Sequence, residues 1–446
     1  MEMALCCWTA LALDIKGSNA EVAMLRGPVM MLTLYLMSGI AGVAGAQSHD
    51  DSRLALEERA YVASKIYSLI PVFFAHGEGA PNVDLDAAYK QYLAQALATD
   101  GRREFDLATL EFVAKLGNGH TDFWDPWIID HYGQLQLFDA HYFDGQWVVT
   151  RSSLPGLKPG DIIVSIDGQP FEQFFADSRK YLSGSSESQQ RRRLFSSNSP
   201  LPRRFSIQLA EGSSIRAEPK APTAATKKEP PETTEGRWIH ESVLAYIKIP
   251  SFDEPEFQKS AIEFLRKFQN AKTLIIDVRG NGGGATPSDL IRSLMDRPWR
   301  HWIETTPSNL VAMRVQMNND PAFHLDYRFE YPPEKLEKPI YSGKLFILVD
   351  DDCTSACEDF AMPFKDNGRA TIIGESTFGS SGQPYVQRFE NGMIFRISTK
   401  REYFPDGSEF EGRGIRPNVE VHPRAEDLRS GNDVIFQKAV ELAAQH

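Results

Sequence analysis

Four short stretches of the chain hold residues whose types and spacing could do chemistry. The first runs Val349-Asp-Asp-Asp-Cys-Thr-Ser355-Ala-Cys-Glu-Asp-Phe-Ala. An apolar strand gives way to a helix there, and a serine at such a junction stands at a sheet edge beside free N–H groups, where a nucleophile can be activated. The same place suits a plain helix cap, which Thr354 or Ser355 would provide. The second is Ile275-Ile-Asp277-Val-Arg-Gly280-Asn-Gly282-Gly283-Gly284. Glycines after a buried strand let the backbone approach a ligand and aim N–H groups at it, although a flexible turn reads the same way. Phosphate binding is the obvious rival, but neither GxGxxG nor GxxxxGK[ST] is met. An oxyanion hole uses the same donors on a tetrahedral intermediate. The third is Gly117-Asn-Gly-His120-Thr, a histidine in a tight turn, and the fourth is Glu411-Gly-Arg-Gly414-Ile-Arg-Pro417-Asn. A lone histidine is commonly structural and a carboxylate commonly a surface group, so neither decides anything alone.

The elements that must position these residues can be read from periodicity. Residues 53–116 read as helical, with Leu54, Leu56, Ala60, Val62, Ile66 and Ile70 at roughly helical spacing and Tyr89, Tyr92, Leu93 and Leu97 repeating it. A third helical stretch, Leu107 to Leu116, ends at Gly117-Asn118-Gly119 and leads into His120. After aromatic, strand-like sequence comes Leu154-Pro-Gly-Leu-Lys-Pro-Gly-Asp161-Ile-Ile-Val-Ser-Ile166-Asp-Gly168, a turn, an apolar strand and a hairpin turn. Residues 212–236 are rich in Pro, Thr, Lys and Glu and read as a solvated linker. From Trp238 the pattern is α/β. Strands are expected at Leu244–Ile249, Leu274–Val278, Leu345–Val349 and Ala370–Ile373, helices at Glu256–Phe268 and from Ser355, and closing strands at Ile394–Ser398 and around Pro417–Val421.

Taken together and in order, these motifs match a family. The strand with Arg-Gly-Asn-Gly-Gly-Gly, the Thr-Ser355-Ala-x-Glu helix start, Ile373-Gly-Glu-Ser-Thr-Phe-Gly379 and Glu411-Gly-Arg-Gly-Ile-Arg-Pro follow Gly-His120-Thr. Over most of residues 55–425 the chain resembles the tail-specific (C-terminal processing) serine proteases, and roughly residues 140–211 resemble their PDZ domain. The resemblance implies a crotonase/Clp-like ββα protease core with an N-terminal helical domain and a PDZ-like β-rich domain. The expected division is 1–46 leader, 47–119 helical domain, 120–211 PDZ-like domain, 212–236 linker, 237–425 protease core and 426–446 C-terminal helix.

It also implies roles. Ser355 is the expected nucleophile. The best-known branch of the family uses a Ser-Lys dyad whose lysine follows the Thr-x-Gly motif. This chain has Phe378-Gly379-Ser380-Ser381-Gly382 there, with no lysine, and Lys365 is expected to face solvent. The tricorn-like branch uses serine, histidine and glutamate, which makes His120 the expected base and Glu411 the carboxylate behind it. Gly283 and Ala356 are the expected oxyanion donors, with Gly282 the close rival of Gly283, and Gly156, Leu157 and Gly379 are expected substrate contacts. The PDZ-like segment implies capture of free C-termini by strand addition, or else a structural gate.

The bulk properties narrow the setting. At 446 residues two to three domains are expected, and 42% hydrophobic with 24% charged residues is ordinary for a globular protein. A net charge of -12 argues against nucleic acid or an anionic membrane as partner. From Met24 a basic residue, an apolar stretch to Val43 and Ala44-Gly-Ala46 read as a secretory signal cleaved near Ala46, with translation starting at Met24, though an uncleaved anchor has a similar pattern. A periplasmic or secreted location is therefore expected, with no membrane span after cleavage. Of four cysteines, Cys353 and Cys357 remain beyond the leader, which excludes a four-cysteine zinc site and leaves a disulfide and two buried thiols both open. The ten histidines are scattered without His-Glu-x-x-His, so no metal or other cofactor is expected. Polypeptides are the expected partners, and a homo-oligomer is allowed. The main alternative is a non-catalytic binding or scaffold protein on the same fold. An esterase is disfavoured because Gly-x-Ser-x-Gly is missing.

Overall fold

A computed structural model describes residues 52–77, 83–128, 137–196, 201–202, 204–218, 232–307, 329–334 and 338–445. The expected leader and the middle of the expected linker lie outside the described residues. Residues from Asp50 onward form one compact unit. No helix among the described residues is long and apolar enough to cross a membrane.

A mixed α/β core follows from the buried strands. Val419–Glu420, Thr371–Gly374, Lys344–Val349, Thr273–Asp277, Leu244–Lys248 and Glu235–His240 lie side by side in that order, all parallel except the last. Both faces of this sheet are covered, which is why its strands read as continuous apolar runs. Because side chains alternate along a strand, Leu274, Ile276, Leu345 and Ile347 point to one face, into a cluster with Leu265, Leu290 and Phe360 from three helices. Those helices are Pro255–Lys267, Ser288–Leu294 and Ala356–Asp366. Ile275, Phe346 and Leu348 point the other way and meet Ile435 and Ala439 of the C-terminal helix Val434–Ala444.

Three helices, Leu56–Phe73, Leu85–Ala98 and Arg102–Ala114, precede His120 as the periodicity implied. One expected placement is corrected. The strand Ile394–Ile397 does not close the central sheet; it lies between Asp122–Trp124 and Tyr385–Arg388 in a separate antiparallel sheet. The reason is burial: Phe395 and Ile397 pack with Phe123 against Val62, Phe105 and Phe112 of the helices. Opposite Arg396 in the register stands Asp122, which its guanidinium pairs at 2.6 Å. This strand pairing carries the histidine turn across to the core. Val419–Glu420 does sit at the edge of the central sheet, as expected.

Residues 138–217 form a six-stranded antiparallel sheet with its own apolar cluster around Trp147, Phe171 and Phe205, flanked by helices Phe171–Ser178 and Glu187–Arg193.

Candidate active site

Ser355 occupies the junction between the strand Lys344–Val349 and the helix Ala356–Asp366, in the N-cap position. Its backbone is in a sparsely populated region, φ 57° and ψ -121°, which costs a non-glycine residue on the order of 1–3 kcal/mol and must be held by its surroundings. The holding groups are identifiable. The Ser355 N–H donates to Glu358 Oε2 at 3.1 Å and to the Ser380 carbonyl at 3.1 Å. Glu358, fully buried, also accepts from the N–H groups of Gly379 and Ser380 and from the Thr377 hydroxyl. Burial pushes its carboxyl well above the usual range while these donors pull it back. From the other side, the Thr354 N–H donates to the Asn281 carbonyl at 3.2 Å. The serine turn is thus clipped between the glycine cluster and the segment 377–380.

Sequence reasoning did not single out Glu358, although a serine with glutamate three residues on, ahead of an apolar run, is the spacing of a reciprocal helix cap.

His120 is buried and fixed by its neighbours. Its N–H and the Thr121 hydroxyl both donate to Asn118 Oδ1 at 2.9 Å. Burial, aided by Arg396 and Arg193, holds the imidazole well below its ordinary pKa, so it is neutral at pH 7. His120 Nδ1 lies 2.8 Å from Ser380 Oγ, and Ser380 Oγ donates to Glu411 Oε1 at 2.9 Å. A hydroxyl has one proton. With that proton on the Glu411 side, Nδ1–H donates to Ser380 Oγ and Nε2 is left as the basic nitrogen. The carboxylate therefore reaches the histidine through a hydroxyl and not by direct contact, which differs from the arrangement read in the sequence. Asn118 Nδ2 at 3.0 Å, the Gly119 N–H at 3.4 Å and the Ser185 hydroxyl also donate to Glu411. Burial still pushes this carboxyl up to about 7.

Ser380 occupies the position after Thr377-x-Gly379 where the resembling Ser-Lys branch carries lysine. The sequence reading marked it only for the lysine it lacks. It joins the three residues: its carbonyl takes the Ser355 N–H, its hydroxyl touches His120 and Glu411. No hydrogen bond joins His120 directly to Ser355 among the described residues.

The glycine cluster lies against the serine. A Cβ on Gly283, at φ 95°, would stand 2.8 Å from Ser355 Cβ and 3.0 Å from the Ala356 nitrogen. Only glycine allows this approach. The Gly283 N–H, however, donates to Asn281 Oδ1 at 2.9 Å. Ala356 and Gly282 have no such bond, and their N–H groups are free among the described residues.

Of the three expected substrate contacts, Leu157 and Gly379 are otherwise engaged, and Gly156 stands in a turn. Leu157 is buried in the apolar cluster of residues 138–217 and its N–H donates to Leu154. Gly156, at φ 90°, is a turn residue whose added Cβ would touch only Ile215. Gly379 uses its N–H on Glu358, and its carbonyl accepts from Gly412 and Gln189. Gly379 is a joint of the framework, with neither backbone group left for a ligand.

A buried lysine does lie near the serine helix. Lys400 Nζ is 2.8 Å from Glu304 and 2.5 Å from Glu402, and these carboxylates hold its pKa above the ordinary lysine value. A permanently charged ammonium cannot act as a base. Lys365 is partly buried, and burial lowers its pKa. Cys353 and Cys357 are joined in a disulfide that brackets Ser355. One grouping among the described residues, His141 with Asp351 and Asp352, has ligand atoms close enough for a cation. Arg192 already pairs with Asp352, Asp351 and Asp139 there and supplies the positive charge.

The comparisons with known proteins follow this geometry. Residues 243–421 match Peptidase family S41. The chain is 29% identical over 202 residues to the carboxy-terminal-processing protease of Bartonella bacilliformis, covering 44% of this chain and 42% of that one. It is 27% identical over 186 residues to the carboxy-terminal processing protease CtpA of Bacillus subtilis, covering 40% and 35%. It thus spans less than half the length of these relatives. In fold it is similar to mature CPAF complexed with lactacystin, with a TM-score of 0.63 at 14% identity over 87% of this chain and 98% of that one. Residues 243–421 thus carry a peptidase family S41 domain, and over 44% and 40% of its length the chain is similar to these two carboxy-terminal processing proteases.

Proposed function

We propose that the protein is a serine endopeptidase that hydrolyses peptide bonds through an acyl-enzyme on Ser355. The observation that carries this reading is the chain from Glu411 through Ser380 to His120 beside the strained Ser355 turn. His120 Nε2 takes the Ser355 proton as Oγ attacks the scissile carbonyl, and the imidazolium then protonates the leaving amine. Water, deprotonated by the same nitrogen, attacks the ester and releases the acid and free Ser355. The Ala356 N–H faces the developing oxyanion, joined by the glycine cluster through Gly282, or through Gly283 once it releases Asn281. Each such donor contributes on the order of 3 kcal/mol in the transition state.

The central sheet and its helices then act as a crotonase/Clp-like core, and residues 138–217 act as the PDZ-like module that receives an unfolded chain end by strand addition. The substrates are polypeptides met in the periplasm or outside the cell after signal cleavage. The occupied Gly283 N–H and the missing Ser355–His120 bond favour one second reading, a ligand-binding protein on this fold.

Labelling with a fluorophosphonate probe separates the two. Wild type should label, with Ser355→Ala silent and His120→Ala strongly impaired. A well-folded wild type that never labels rejects the peptidase.

A further inference from the structure

A cavity of about 350 Å³ opens beside the helix that Ser355 begins. Asp359, whose N–H donates to the Ser355 carbonyl at 3.0 Å, is one helical turn along and lines it. Thr286, three residues after Gly283, lines it too and donates to Asp359 Oδ2 at 2.5 Å. The cavity therefore starts about 5 Å along the helix from the candidate nucleophile, at the distance of a substrate residue next to the reacting bond.

Its chemistry is uneven. Three carboxylates line the interior, Glu304, Asp359 and Glu402, against one ammonium, Lys400. The rim arginines are already neutralised, Arg292 by Asp289 and Glu334, and Arg300 by Asp366. Glu402 is 1% exposed, and neither of its oxygens accepts a well-directed hydrogen bond. Burial and the neighbouring Asp359 push its carboxyl up to about 8, the response of an acid with too little positive charge around it. Trp299, Trp302 and Tyr331 form aromatic walls, surfaces that attract a cation.

We propose that this cavity is a subsite for a basic side chain of the substrate, a guanidinium or ammonium lodged between Glu304, Glu402 and the aromatic walls. The proposal rests on the peptidase reading for its biological meaning, but its physical content is a cation site that can be tested without turnover. An entering cation completes the charge balance that Lys400 alone leaves short and returns Glu402 to its ionised form.

The first measurement is calorimetric titration of full-length Ser355→Ala protein with arginine amide and with its neutral isostere, citrulline amide. Arginine amide should bind at least about tenfold tighter, a difference near 1.4 kcal/mol. Glu304→Gln should abolish that preference, and Glu402→Gln provides a second arm if the first variant unfolds. Equal binding of the two amides, or none of either, overturns the proposal. The second measurement is cleavage of matched peptides carrying Lys, Arg, Gln or norleucine at each position around the scissile bond. One position should favour Lys and Arg by about tenfold in kcat/KM. Glu304→Gln should lose this preference while fluorophosphonate labelling stays at the wild-type level. Failure of wild-type labelling rejects the peptidase. Labelling and cleavage with no basic preference rejects only the subsite.

Discussion

The serine and the histidine are held in opposite ways. Ser355 sits in the core of the α/β sheet, where Glu358, Asn281 and the Ser380 carbonyl pin a backbone that would otherwise relax. His120 belongs to the helical region, and what ties its ring to the core is a side-chain chain, Ser380 to Glu411. The candidate nucleophile is positioned through its backbone and the candidate base through hydroxyls. Damage to the groups that pin the serine backbone should therefore appear as lost stability as well as lost reactivity, and damage to the hydroxyl chain as lost rate in a protein that still folds.

The sharpest break of this contrast is Ser355→Ala beside His120→Ala. Each should lower kcat by several orders of magnitude, the double variant should be little worse than either, and both should keep the wild-type unfolding free energy to within about 1 kcal/mol. Full additivity of the two losses would show that the residues do not act as one unit. Next comes Glu358→Ala, which leaves the buried N–H donors of Gly379 and Ser380 without an acceptor and takes from the Ser355 N–H one of its two. A loss of at least about 3 kcal/mol in urea denaturation is expected, together with lost labelling. An unchanged midpoint would mean that the serine turn is held by something else.

Ser380→Ala probes the other arm. It should cost about 10- to 100-fold in kcat with KM nearly constant, and Ser380→Thr should restore most of the rate. The pH dependence should move with it. Glu411, pushed up to about 7, must be ionised to take the Ser380 proton. Wild-type kcat/KM should rise with pH through about 7, and Glu411→Gln should be slow and flat there. The sign for stability is opposite. An acid whose folded pKa exceeds its unfolded value favours the fold below the unfolded value and loses that contribution as pH rises through about 7. Thermal melts of wild type against Glu411→Gln from pH 4 to 8 would show the gap.

The smallest effect is expected at the bracket around the candidate nucleophile. Opening the Cys353–Cys357 loop with a double serine variant should cost about 2 kcal/mol or less, because so short a loop restrains little of the unfolded chain.

How much of this was legible in the sequence follows from how local each cause is. The strands at Thr273–Asp277 and Lys344–Val349 announced themselves because burial on both faces demands unbroken apolar runs. The candidate serine and histidine turns were legible through neighbouring glycines and ordered motifs. The sheet to which Ile394–Ile397 belongs was not, since an alternating strand does not say which edge it joins. Ser380 was invisible for a similar reason. Its partners, His120 and Glu411, lie 260 and 31 residues away along the chain, and a hydroxyl bonded across such spans leaves no pattern around itself. The tie of Gly283 to Asn281 is two residues long yet equally silent, because an asparagine side chain has several turns open to it.

The pairing of Asp122–Trp124 with Ile394–Ile397 also sets a timetable. As the chain is made from its N-terminus, His120 emerges well before the strand that docks its turn and the glutamate behind Ser380. Until then Ser355 and His120, the candidate nucleophile and base, occupy separate stretches of a growing polymer. On the proposed peptidase reading the newborn chain is chemically mute toward itself and its neighbours, and competence arrives with the strand Ile394–Ile397.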